Sequence, residues 1–101
     1  MSPRDAWLVE RTQGAPDELR HRVLAWAGQL ESIGGTAAPL GQAGMAALEA
    51  AIRQGADRTV ALDLLAADAL VTLALLAQAE SSPADLGAFA GQLRAQAAAR
   101  A

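Results

Sequence analysis

The longest apolar run in this chain, residues 60–77, reads VALDLLAADALVTLALLA and contains only two charged side chains, Asp63 and Asp68. At about 100° per residue, its leucines fall on every side of a helix rather than along one stripe. Such a helix needs other helices, a partner chain or lipid around it. The run therefore predicts a central apolar helix, which we place at residues 57–80.

Start and stop signals predict four further helices around it. Ser2-Pro3 begins a short first helix, and Pro16-Asp17 begins a second that ends at the glycine pair 34–35. A third helix follows Pro39 to residue 54, and Ser82-Pro83 begins the last one with the Ser-Pro-x-Asp signal already seen at Ser2. The second helix carries one apolar seam, formed by Leu19, Val23, Trp26, Leu30 and Ile33.

Two glycines, Gly41 and Gly44, lie inside the predicted third helix. A glycine in a helix interior costs about 1 kcal/mol relative to alanine. Either a neighbouring helix approaches closely at these positions, or the glycines lie in a loosely formed first turn where their cost is small.

Composition supports a purely helical fold. Alanine, the best helix former, accounts for 27 of the 101 residues, and only three residues are aromatic. Because every predicted linker is short, neighbouring helices should run antiparallel. We therefore expect an all-α fold: a compact antiparallel bundle of four main helices plus a short N-terminal helix, forming a single helical domain over residues 1–101.

Charge and hydropathy indicate whether the chain binds nucleic acid and whether it enters a membrane. The net charge of −3 argues against a protein that binds the phosphate backbone of a nucleic acid, since such a protein needs a basic face. The first residues carry charges and no apolar core of a signal peptide, so we expect a cytoplasmic protein. Asp68, in the middle of the apolar run, costs about 2.5–3.5 kcal/mol on membrane insertion and argues against a membrane span.

The two aspartates of the apolar run are the sharpest candidates for chemistry. Five residues on a helix turn through about 140°, so Asp63 and Asp68 do not share a face, whereas a pair acting on one metal or substrate would favour a spacing of three or four residues. We expect both to be buried structural carboxylates, each paired with an arginine such as Arg53, Arg58 or Arg94. His21 is the only histidine, and no cysteine is present. We accordingly predict no catalytic, cofactor-binding or metal-binding residue, and no bound cofactor.

The short first helix contains the residues that we single out for interaction, Trp7, Leu8 and Arg11. Tryptophan is enriched at interfaces, and this patch is too small to form a core of its own. Trp7 either folds back onto the bundle or anchors a partner.

The surplus of apolar surface indicates the class of function. We expect a non-enzymatic helical interaction module whose partner is a protein: a second copy in a homodimer, or a larger assembly in which the chain is an accessory subunit. The alternative is a binding protein for an apolar small molecule, a lipid or isoprenoid, in an alanine-lined pocket between helices.

Overall fold

The computed structural model describes residues 2–30, 34–55 and 57–100, and within these ranges every regular element is helical. Five α-helices follow one another along the chain, with a single 3₁₀ turn at Pro83–Asp85 before the last of them. They are α1 Pro3–Arg11, α2 Asp17–Gly28, α3 Ala37–Gln54, α4 Arg58–Ser81 and α5 Leu86–Arg100. They pack into a compact bundle, so the predicted all-α helical bundle is confirmed.

Polar side chains cap the starts of α1 and α4. The Ser2 hydroxyl accepts a hydrogen bond from the Asp5 amide at 3.1 Å, and the Asp57 carboxylate accepts one from the Val60 amide at 2.9 Å. Each satisfies an amide that the first helical turn leaves without a partner. At Ser82 the same sequence signal gives a different structure, because the hydroxyl donates to the Asp85 carboxylate at 2.7 Å and a 3₁₀ turn precedes α5.

The second helix is shorter than predicted. It ends at Gly28, where the amides of Gln29 and Leu30 bond back only three residues, to the carbonyls of Trp26 and Ala27. A glycine is a poor helix former, so the helix tightens and stops there rather than at the later glycine pair. The predicted apolar position Ile33 lies outside the described residues.

The tightest packing in the bundle lies between α3 and α4. A Cβ atom on Gly44 would come within 2.9 Å of Val71 Cγ2, 3.3 Å of the Val71 amide nitrogen and 3.4 Å of the Ala67 carbonyl oxygen. The α4 backbone thus occupies the space that a side chain at this position would need. Of the two explanations for the glycines of α3, close approach of another helix is the correct one at Gly44.

The core is built mainly from leucine and alanine, with Leu8, Leu40 and Leu70 as its largest fully buried apolar side chains. At about 1.5 Å per residue, the 24 residues of α4 span about 36 Å, against a longest dimension of 38 Å for the molecule. The central helix therefore runs the length of the bundle. In α5, by contrast, Leu93 is the one buried side chain.

Candidate interaction surface

The feature that most distinguishes this bundle is an apolar face of α4 that no other helix covers. Its large exposed side chains are Leu64, Leu65 and Leu76, with 46%, 55% and 41% of their surface accessible. On a helical wheel these three positions lie within about 120° of one another, on one side of α4. We call this side the outer face of α4. Its exposed residues include Leu64, Leu65, Asp68, Thr72 and Leu76.

The inner side of α4 explains why leucines are left outside. Of its seven buried residues, four are alanines: Ala66, Ala67, Ala74 and Ala77. Small side chains let the backbones of α3 and α4 approach closely, as the contact at Gly44 requires. Close approach thus places alanine inside and turns much of the leucine of this helix towards solvent. A monomeric soluble protein rarely orders its residues in this way.

Two polar residues lie in the middle of the outer face. Asp68 is exposed, so the prediction that it is a buried carboxylate is wrong. It sits on the opposite side of the helix from the core because the alanines, not the aspartates, determine which side faces α3. Thr72 lies one turn further on and donates its hydroxyl hydrogen to the Asp68 backbone carbonyl at 2.8 Å.

Asp63, in contrast, is fully buried, with 1% of its side chain accessible. Its Oδ1 atom accepts hydrogen bonds from Arg22 Nε at 2.6 Å and from Trp26 Nε1 at 3.1 Å, both from α2. The bond from Arg22 lowers the pKa of Asp63, and the bond from Trp26 adds to this, while burial opposes both. The carboxylate therefore stays charged inside the bundle and ties α2 to α4.

The arginine that pairs with Asp63 is not among those predicted. Arg58 instead pairs with Glu18 at 3.3 Å, and Arg53 pairs with Glu49 at 3.4 Å. Arg22 follows Arg20 and His21 in the sequence, and such a run of polar side chains is typical of a solvated face. The sequence did contain a signal: Arg22 and Trp26 are four residues apart, which places two N–H donors on one side of α2.

The residues singled out in α1 are turned onto the bundle. Leu8 is 1% exposed, and so the prediction that it contacts a partner is wrong; its side chain belongs to the core. Trp7 is half-buried, and its indole N–H donates to Glu80 at 3.0 Å. Arg11 also donates to Glu80, at 2.7 Å, and stacks over the Trp7 ring at 5.2 Å.

This cluster fastens α1 to the end of α4. The hydrogen bond from Trp7 lowers the pKa of Glu80, and the bond from Arg11 lowers it further. Trp7 thus folds back onto the bundle, which is one of the two arrangements that the sequence left open. A partner-binding role for Trp7 and Arg11 stays a prediction.

A groove adjoins the outer face between α3, α4 and α5, and it shares Leu64 and Asp68 with that face. Its volume is about 390 Å³, which falls within the range of volumes of small-molecule binding sites. Apolar side chains dominate its lining, among them Met45, Leu48, Leu64, Val71, Leu75 and Leu93. The two charged residues that border it are Asp68 and Arg94.

Helix α4 is also the one described helix that is long and apolar enough to cross a membrane, with a mean hydropathy of 2.1 over its most apolar window. Length and composition are weak evidence, because the core helix of a soluble protein meets the same criteria. In this bundle 39% of that window is buried against other helices.

Within the described ranges, no three histidine, cysteine or acidic side chains are grouped so that they could hold a metal ion. The sequence matches no protein-family model, no curated protein and no solved structure. What the chain does must therefore be inferred from its own surfaces.

Proposed function

We propose that this chain is a non-enzymatic helical interaction module that associates with a second copy of itself through the outer face of α4. The observation that carries the proposal is the inverted arrangement of α4, with alanines inside and three leucines outside. Full burial of a leucine side chain contributes about 1.5–3 kcal/mol. A two-fold contact would cover the same three leucines on both copies, so that each exposed side chain counts twice.

The rest of the bundle supports a role in binding rather than in catalysis. The buried carboxylate of Asp63 is occupied by Arg22 and Trp26, and the Glu80 carboxylate by Trp7 and Arg11. Both groups connect helices within the chain, although the second carboxylate oxygen of Asp63, Oδ2, is buried and accepts no hydrogen bond from the described residues. The same outer face would also suit an accessory subunit that docks onto a larger protein.

We expect Leu65→Arg to weaken self-association at least about thirtyfold, which corresponds to about 2 kcal/mol at a central interface position. Leu65 is 55% exposed, so the substitution leaves the core intact. Sedimentation velocity over a concentration series measures the effect, and circular dichroism checks that the helices remain.

His21→Arg is the matched control, because it introduces the same positive charge at an exposed position of α2, a helix that contacts the inner side of α4. This variant should associate as the unmodified chain does. Equal behaviour of the two variants would show that the outer face takes no part in association.

The groove between α3, α4 and α5 favours a second candidate function, the binding of an apolar small molecule such as a fatty acid or isoprenoid. Its volume and apolar lining are the supporting observations. In α5, Ala97 lines the groove, whereas Ala99 is exposed and does not.

If the groove binds such a ligand, Ala97→Phe should abolish binding of myristic acid or farnesol in native mass spectrometry, because the larger ring fills the cavity. Ala99→Phe, in the same helix, should leave binding unchanged. No bound ligand on the unmodified chain, or equal binding by both variants, would rule this function out.

A further inference from the structure

We propose that the second copy packs antiparallel against the outer face of α4, with the two-fold axis at the level of Leu70. The inference rests on the proposed function, since it specifies the geometry of the association proposed there. It comes from the order of residues along the outer face, which is nearly the same in both directions.

The outer face has the spacing of a coiled-coil seam. Residues at alternating intervals of four and three return to one side of a helix, and this is the pattern that pairs two helices along their length. On α4 these positions are Ala61, Leu65, Asp68, Thr72, Leu75 and Ala79. Four of the six side chains are exposed, and Leu75 and Ala79 are partly buried, so none of the six is fully covered by the rest of the bundle.

This seam is complementary to its own reverse. When two copies of α4 run antiparallel about an axis at Leu70, Ala61 faces Ala79 of the other copy and Leu65 faces Leu75. A two-fold interface requires such reciprocity, because residue i contacts residue j and residue j contacts residue i. Small side chains thus meet small ones at both ends of the seam, and leucines meet leucines inside them.

Asp68 and Thr72 form the central layer of the seam, and this layer favours antiparallel over parallel pairing. In the antiparallel arrangement Asp68 faces Thr72 of the other copy, whose hydroxyl would turn its one hydrogen from the Asp68 backbone carbonyl of its own helix to this carboxylate. In a parallel, in-register pair the Asp68 carboxylates would face each other, and like charges at a seam oppose association. Within the described ranges the Asp68 carboxylate forms no hydrogen bond or ion pair, so it is free to accept this bond.

A polar layer within an apolar seam is also a known means of fixing register. One buried polar position can specify orientation and alignment at some cost in stability. Two symmetry-related Asp68–Thr72 contacts at the middle of the seam would serve this purpose. Sliding the helices by one turn would bring each aspartate against Leu75 in one direction, and the two aspartates against each other in the opposite direction.

Thiol cross-linking tests the arrangement directly, since the chain contains no cysteine. Ala61→Cys and Ala79→Cys each place one thiol at an end of the seam and leave every leucine in place. In the antiparallel pair, an equimolar mixture of the two variants should be linked by a short bismaleimide. Each variant alone should not be linked, because its two thiols lie about 27 Å apart along the helices.

The outcomes separate the geometry from the proposed function. Linking of either variant with itself would overturn the antiparallel arrangement and indicate a parallel pair. If the unmodified chain dimerises and no mixture is linked, the geometry is wrong and the self-association stands. If the unmodified chain remains monomeric at every concentration, both are wrong.

Thr72→Val provides a second, independent test of the central layer. Valine is close to threonine in shape and more apolar. If association depended only on apolar contact, this substitution would tighten it. In the proposed geometry it removes the donor to a charged carboxylate and should weaken association about tenfold. Tighter association of Thr72→Val would therefore contradict the proposed Asp68–Thr72 contact.

Discussion

Replacing Arg22 with methionine is expected to lower the free energy of unfolding by about 2–4 kcal/mol, because it leaves the Asp63 carboxylate buried without its charged partner. The Asp63 side chain is 1% exposed, and Arg22 supplies its shortest hydrogen bond, at 2.6 Å. The loss is smaller than for an ion pair that is buried on both sides, because the Arg22 side chain is 33% exposed and its charge is partly screened by solvent. Chemical denaturation at neutral pH measures the change.

The matched control is Arg58→Met, which removes an arginine whose side chain is 89% exposed and whose partner is Glu18. A surface pair of this kind contributes about 0–1 kcal/mol, so the control should unfold nearly as the unmodified chain does. Adding Asp63→Asn to Arg22→Met should recover part of the loss, because no charge is then left buried. An equal effect of the two arginine substitutions would contradict this account of Asp63.

The Arg22–Asp63 ion pair should make the free energy of unfolding decrease as the pH falls into the acid range. Because folding lowers the pKa of Asp63, its stabilising contribution is present above the pKa of the unfolded chain, about 3.9. The contribution is lost as the pH falls through the lower pKa of the folded state. Asp63→Asn should therefore flatten the acid limb of the stability profile.

The second large effect is expected at Gly44. Gly44→Leu should lower the free energy of unfolding by about 3 kcal/mol, because the new side chain meets the α4 backbone at Val71 and Ala67. Gly44→Ala should cost less, since its gain in helix propensity, about 1 kcal/mol, offsets part of the clash. Thermal and chemical denaturation measure both changes.

Two other glycines provide a graded comparison. A Cβ atom on Gly41 would meet only the ends of the Leu93 and Phe89 side chains, and one on Gly91 would meet nothing within 4 Å. Gly41→Ala should therefore be nearly neutral, and Gly91→Ala should stabilise the protein by up to about 1 kcal/mol. Stabilisation by Gly44→Ala as large as that by Gly91→Ala would mean that α3 and α4 are not in close contact there.

The sequence predicts the helices well because their ends depend on local chemistry. Ser2 and Asp57 cap helices through their own side chains, and such contacts reach only a few residues. The apolar run at residues 60–77 likewise predicts a helix that crosses the whole bundle, because a helix of that length is about as long as a compact domain of this size.

The predictions that failed concern which side of a helix meets which neighbour. Asp63 and Asp68 look alike in sequence, yet one is buried and the other is exposed, because α3 packs on the alanine side of α4. The choice of Arg22 over Arg53 or Arg58 as the partner of Asp63 depends on how α2 crosses α4. The spacing of Arg22 and Trp26 places two donors on one side of α2 but does not fix which residue of α4 they meet. A comparison of the glycines of α3 with the alanines of α4 would have indicated the close contact, and with it the outward side of the leucines.

The outer face of α4 is the centre of this account, and the mass of the unmodified chain in solution tests it most directly. Sedimentation equilibrium should be measured from about 1 μM to 1 mM, a range that spans dissociation free energies of about 4–8 kcal/mol. We predict that the mass rises from the 10.3 kDa of one chain towards twice that value as the concentration increases. A mass of 10.3 kDa at every concentration would contradict self-association through α4.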